Sequence, residues 1–169
     1  MEFFRLESDK RYKNPVATQI KDSQIEQMEP SVWFTKITKD VKALDFFVIQ
    51  KFNRKYFLVS DRLKQLFDIY GDGYEKAVPL FATDSQQQRL EFYWNLRLKN
   101  GDYLVPRMLY SKEEPMLREE PPFPTQCFQG TDGDGEYIIV SLPLAEHILR
   151  KNWNGIRLVP IKQKGGEGL

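Results

Sequence analysis

Two stretches of the chain carry the same pattern of apolar and polar positions. YFLVSDRLKQLFDIYGDGYEKAVPL, residues 56–80, and YIIVSLPLAEHILRKNWNGIRLVPI, residues 137–161, align without a gap at an offset of 81. Six of the 25 aligned positions are identical: Tyr56/Tyr137, Val59/Val140, Ser60/Ser141, Leu63/Leu144, Val78/Val159 and Pro79/Pro160. Each copy opens with a compact apolar run, meets a serine, and passes into an apolar period of helical type. In the first, Leu63, Leu66, Phe67 and Tyr70 fall at i, i+3, i+4 and i+7, which predicts a helix over 61–70 ended by Gly-Asp-Gly. In the second, Leu144, Ile148 and Leu149 form the face of a helix over 142–151. Pro143 is harmless in its first turn, and Asn154-Gly155 stops it. Ser60 and Ser141 stand where a hydroxyl can accept from an unpaired first-turn N–H. Each unit thus reads as strand, capped helix, turn, strand, and the repetition raises the question of internal duplication. Val59, Leu63, Phe67, Val78, Ile138, Val140, Leu144, Ile148 and Leu158 are the expected core.

The rest of the pattern is mostly β. MEFFRL and VWFTKIT have strand character, and residues 43–60 suggest two strands about a turn near Asn53 and Arg54. Residues 7–31 are polar and loop-like, with a short helix around 20–28. Asn100-Gly101 between EFYWNLRL and DYLVPRML is a strong hairpin signal. Residues 111–136 hold four prolines, three glycines and no clear period. The expected fold is a single α+β domain over 1–161, with a mixed or mostly antiparallel sheet and two Ser-capped helices. Residues 162–169 read as a flexible tail.

Composition narrows the function. A chain of 169 residues with a net charge of +1 lacks the basic excess of a dedicated nucleic-acid binder. The charge is uneven: residues 111–136 carry two cations against seven carboxylates, −5, which leaves +6 elsewhere. One cysteine permits no internal disulfide, and no signal peptide or bilayer-length apolar run is visible; the cytoplasm is the expected location.

Candidate chemistry is thin. His147 is the only histidine and Cys127 the only cysteine, so a zinc set cannot be assembled. The alternating DGDGE at 132–136 lacks full calcium-loop spacing and reads as a solvated turn. Neither serine lies in a glycine-flanked elbow. The pairs Glu113-Glu114 and Glu119-Glu120 sit beside prolines, with nothing to bury them and raise a carboxylate pKa. No catalytic residue, cofactor or metal is expected.

The strand followed by Ser-x-x-Leu-Lys (Val59, Ser60, Leu63, Lys64) resembles the bacterial immunity-protein family that accompanies secreted polymorphic toxins. So does the C-terminal helix followed by a glycine and an alternating strand (Ile148, Leu149, Gly155, Ile156, Leu158). The likeness covers about residues 40–161. It implies a non-enzymatic cytoplasmic protein that binds and neutralises a cognate toxin. The alternatives are a scaffold module of a larger assembly, or an enzyme with an unfamiliar carboxylate site. The acidic segment suggests the interface: Glu113, Glu114, Glu119 and Glu120 as a charged rim, Phe123 and Phe128 as anchors for a cationic partner.

Overall fold

The structure, a computed structural model, describes residues 1–22, 32–51 and 54–165. In chain order its elements are β1 (Phe3–Ser8), β2 (Lys21–Asp22), β3 (Trp33–Lys36), β4 (Phe46–Lys51), β5 (Arg54–Ser60), α1 (Asp61–Tyr70), β6 (Tyr74–Asp84) and β7 (Arg89–Leu98). There follow β8 (Met116–Leu117), β9 (Cys127–Thr131), β10 (Glu136–Ser141), α2 (Leu142–Leu149), β11 (Ile156–Pro160) and β12 (Lys162–Gln163). Strands dominate and two helices pack on them, so the α+β expectation holds. One sheet has the order β2-β3-β6-β7-β5-β4, the other β11-β1-β10-β9, and β12 pairs with β8 alone.

The repeat seen in the sequence is an architectural one. In each copy the two strands flanking the helix lie parallel, separated by one antiparallel strand: β7 between β5 and β6, β1 between β10 and β11. A hairpin partner lies outside, β4 on β5 and β9 on β10. The orders β6-β7-β5-β4 and β11-β1-β10-β9 are therefore the same arrangement. Register agrees residue by residue. Phe46 faces Val59 and Cys127 faces Val140, both at the offset of 81. Trp94 lies between Val59 and Pro79, as Phe4 lies between Val140 and Pro160. Only the chain connection differs. The middle strand of the first copy follows β6 directly, while that of the second comes from the N-terminus.

Burial explains which residues drive this. Leu63, Leu66 and Phe67 of α1 and Leu144, Ala145 and Ile148 of α2 share one core with Leu6, Phe57, Val59, Leu96, Ile138 and Val140. That core takes side chains from both sheets. Eight of the nine expected core residues are buried; Leu158 is half-buried against the same cluster. Leu149 was expected on the buried face of α2, yet it is 71% exposed, because Ala145 and not Leu149 completes the stripe with Leu144 and Ile148. α2 also stops at Leu149, short of 151.

The two serines share a position but not a role. Ser60 Oγ accepts from Leu63 N at 3.2 Å and donates to Asp45 Oδ1 at 2.8 Å. Ser141 occupies the same N-cap site without a side-chain cap bond; its Oγ donates instead to Gln126 Oε1 at 2.5 Å. Asp45 and Gln126 are themselves 81 apart. Pro143 in the first turn already removes one donor, which lowers the demand for a cap.

Three further readings change. Asn100-Gly101 makes no hairpin. Gly101 N donates to Gln129 O and Gln129 N to Lys99 O, so β9 takes over this edge. The glycine is needed for close approach, since a Cβ there would strike the Tyr103 and Phe128 rings. β7 pairs instead with β6, through a turn in which Asp84 Oδ1 accepts from Gln86 N and Gln87 N. Residues 111–136 are not all loop, because β9 and Leu117 lie inside them and are buried. Of the segment read as tail, Lys162 and Gln163 pair in parallel with Met116 and Leu117. The helix read around 20–28 and the turn at Asn53 fall largely outside the described residues.

Candidate functional site

The two hairpin tips of the repeat come together. Gln50 and Lys55 from the β4–β5 hairpin, with Thr131 and Glu136 from β9–β10, line a cleft of about 400 Å³. These are equivalent pairs at the offset of 81, so matching positions of the two copies face one space. Leu109 and Tyr110 close its rim, and the turn Gly133, Asp134, Gly135 forms one wall. Burial pulls the Lys55 ammonium below the ordinary lysine pKa, against the opposing pull of Glu7 and Asp132. Its Nζ rests 4.8 Å from the centre of the Tyr137 ring.

The rim loop is pinned from beneath. Arg107 is nearly buried, and its Nε donates to Asp132 Oδ2 at 2.6 Å while Nη2 donates to Tyr137 Oη at 2.7 Å. A third bond runs from Nη1 to the Glu113 carbonyl. Asp132 Oδ1 accepts from Asp134 N and Gly135 N, both at 3.0 Å, an Asx-type turn. DGDGE is thus a turn, as read, but Asp132 is 2% exposed rather than solvated. A buried pair of this kind contributes little net stability, yet it holds one geometry.

Above this base the chain puts apolar side chains into water. Met108, Leu109 and Tyr110 are 86%, 71% and 90% exposed. Tyr110 has φ 61°, unusual for a bulky residue, and its N–H donates to Asp134 Oδ1 at 2.6 Å. Three consecutive large apolar side chains on a pinned loop form a patch of the type that marks protein contacts.

The six residues expected at the interface do not assemble. Phe128 is buried in β9, edge-on to Tyr103 at 5.1 Å and to Phe3 at 6.3 Å, and cannot serve as an anchor. It is core because β9 extends the repeat: Phe128 is the counterpart of Phe47. Phe123 is 84% exposed. Glu113 and Glu114 lie beside the cleft, Glu114 paired with Arg5 and Glu113 with no ion pair among the described residues. Glu119 pairs with Arg118 at 3.3 Å and Glu120 with the N-terminal amine at 2.6 Å. Glu120, held by the Met1 amine, and Phe123, three residues before Gln126, belong to the Ser141 end of β10, whereas the cleft lies at its Glu136 end. Sequence reasoning missed residues 108–110: it takes Met108 and Leu109 as the end of an extended stretch after the Asn100-Gly101 turn and gives Tyr110 no role. The run Met-Leu-Tyr directly before the charged Ser-Lys-Glu-Glu breaks the period-2 alternation and was the available signal.

Cys127 and His147 stay apart from this region. The Cys127 thiol faces the core, and burial, helped by Asp72, pushes its pKa up to about 12. His147 Nδ1 is 3.0 Å from Tyr70 Oη, a contact between α2 and α1. Among the described residues no group of three or more His, Cys, Asp and Glu side chains converges to hold a metal ion, and no helix is long and apolar enough to cross a membrane. Comparison with known proteins returned no matching family model, curated sequence or solved structure.

Proposed function

We propose that the protein is a non-enzymatic immunity protein, which binds and neutralises a cognate toxin through the loop 106–115 and the adjoining cleft. The observation that carries this reading is the exposed run Met108, Leu109, Tyr110 on its buried Arg107–Asp132–Tyr137 base. A binder needs a few large anchors on a backbone held in place before encounter, so that little loop freedom is lost on association. Glu113, in the same loop and without an ion pair among the described residues, and the half-engaged carboxylates of Glu114 and Asp134 favour a cationic partner surface. The proposed interface therefore keeps Glu113 and Glu114 from the segment inferred from sequence, leaves out Glu119, Glu120, Phe123 and Phe128, and takes residues 108–110 as anchors.

The test pairs this protein with the toxin-sized product encoded beside its gene. Co-expression should restore growth to cells producing that product. Met108→Ser/Leu109→Ser/Tyr110→Ser should abolish rescue and speed dissociation of the purified pair by about a hundredfold or more, as expected for loss of central anchors. Glu113→Gln/Glu114→Gln should slow association and flatten its salt dependence. Rescue and kinetics unchanged in both variants would move the interface elsewhere. A stable complex without growth rescue would favour the scaffold alternative.

A further inference from the structure

A second recess, of about 210 Å³, lies on the other side of Lys55, and its lining is cationic. Arg54 and Lys55 come from β5, Lys76 from β6 and Arg97 from β7, with Lys76 and Arg97 directly paired across the ladder. No carboxylate lines it among the described residues. Arg97 shares its charge with Glu75 at 3.0 Å and Glu136 at 3.7 Å. Arg54, Lys55 and Lys76 make no ion pair among the described residues. Four cations round one recess repel one another, and the carboxylates nearest them, Glu75 and Glu136 on Arg97, lie outside its lining.

The neutral lining is incomplete in a matching way. The Trp33 indole Nε1 is buried and has no hydrogen-bond partner among the described residues. Indole nitrogen is a donor only, so what it lacks is an acceptor. Gln129 is 4% exposed, and its amide makes no hydrogen bond among the described residues, leaving Oε1 buried and unsatisfied. A primary amide can turn to present either its NH2 or its oxygen. Buried polar groups left unpaired each cost free energy that a suitable ligand would recover. Trp33 and Tyr56, ring centres 5.2 Å apart and edge-on, supply an apolar wall.

We propose that this recess binds a phosphate-type oxyanion, either free or as the phosphate of a small nucleotide. An oxyanion offers the acceptors that Trp33, Arg54, Lys55 and Lys76 lack among the described residues. The volume suits such a group and is below that of a typical drug-sized site. Its negative charge would also oppose the lowering of the Lys55 pKa that burial causes. This inference is independent of toxin binding.

Titration calorimetry of the full chain at low, constant chloride tests it, with inorganic phosphate and AMP as probes. Saturable binding of phosphate is expected. Arg54→Gln/Lys76→Gln, both at exposed positions, should weaken it about tenfold or more, the loss expected for charge-assisted bonds. Trp33→Phe, which keeps the ring and removes the donor, should weaken it several-fold. Circular dichroism and Tm serve as folding controls. AMP tighter than phosphate identifies a nucleotide, with the base on the Trp33–Tyr56 wall; equal affinities identify the free oxyanion. No saturable heat with either probe, the same affinity in both variants, or equal binding of added chloride would overturn the proposal.

Discussion

Ser60 and Ser141 show one position adapted to two purposes. Ser60 Oγ caps α1 and holds Asp45, whose carboxylate also accepts from Arg62 at 3.0 Å and Asn154 N at 2.9 Å. Ser141 holds Gln126 and leaves α2 to its proline. Urea unfolding should therefore show Ser60→Ala costing about 1–2 kcal/mol, the range for losing a cap. Ser141→Ala should cost about 1 kcal/mol, one neutral hydrogen bond. Equal losses would mean that the cap contributes nothing. Cys127 gives a pH-dependent case. Its thiol is held neutral by burial, so the unfolded chain releases that proton first as pH rises. The contribution is complete below the ordinary thiol pKa and declines from there toward about 12. Cys127→Ala should therefore lose less stability than wild type between pH 7 and pH 10, and Ellman's reagent should react with the native thiol only through unfolding. A native thiol that reacts at the rate of free cysteine would contradict this.

At the scale of elements, the helices were legible because their apolar residues recur at the helical period and their starts carry serine. Leu63 and Leu144 are both fully buried in one cluster. Each change to alanine should cost about 2–5 kcal/mol in chemical denaturation. The double variant should depart from additivity, since the two side chains line one core. β9 was not legible by itself. Cys-Phe-Gln-Gly-Thr has weak strand propensity and sits among prolines, and only its pairing to β10 makes it a strand. Carrying the offset-81 alignment nine residues upstream, to Phe47/Phe128, would have found it. The loop 106–115 was illegible for a different reason. Its conformation is set by Arg107 meeting Asp132 and Tyr137, 25 and 30 residues away, and no local pattern encodes such contacts. The cationic recess escaped for the same reason, because its lining is spread over β3, β5, β6, β7 and β9.

At the scale of the whole molecule, the two copies differ in when their parts are made. Residues 46–98 contain every strand of the first unit in one continuous run. The second unit is closed by β1, synthesised before any strand of the first unit, which pairs on both sides with β10 and β11, synthesised after all of them. Newborn chain emerging from a ribosome can thus complete the first unit early, while β1 waits unpaired with Phe3, Phe4 and Leu6 uncovered. Closing that long loop delays its pairing. Pulse-labelled hydrogen exchange during refolding should show β5 and β7 amides protected before those of β1 and β11. Simultaneous protection would mean the two units form as one. The waiting interval is also the stage at which a holding chaperone, or a neighbouring chain's β10, could capture the N-terminal strand. The price of completing a repeat with a borrowed strand is a vulnerable childhood.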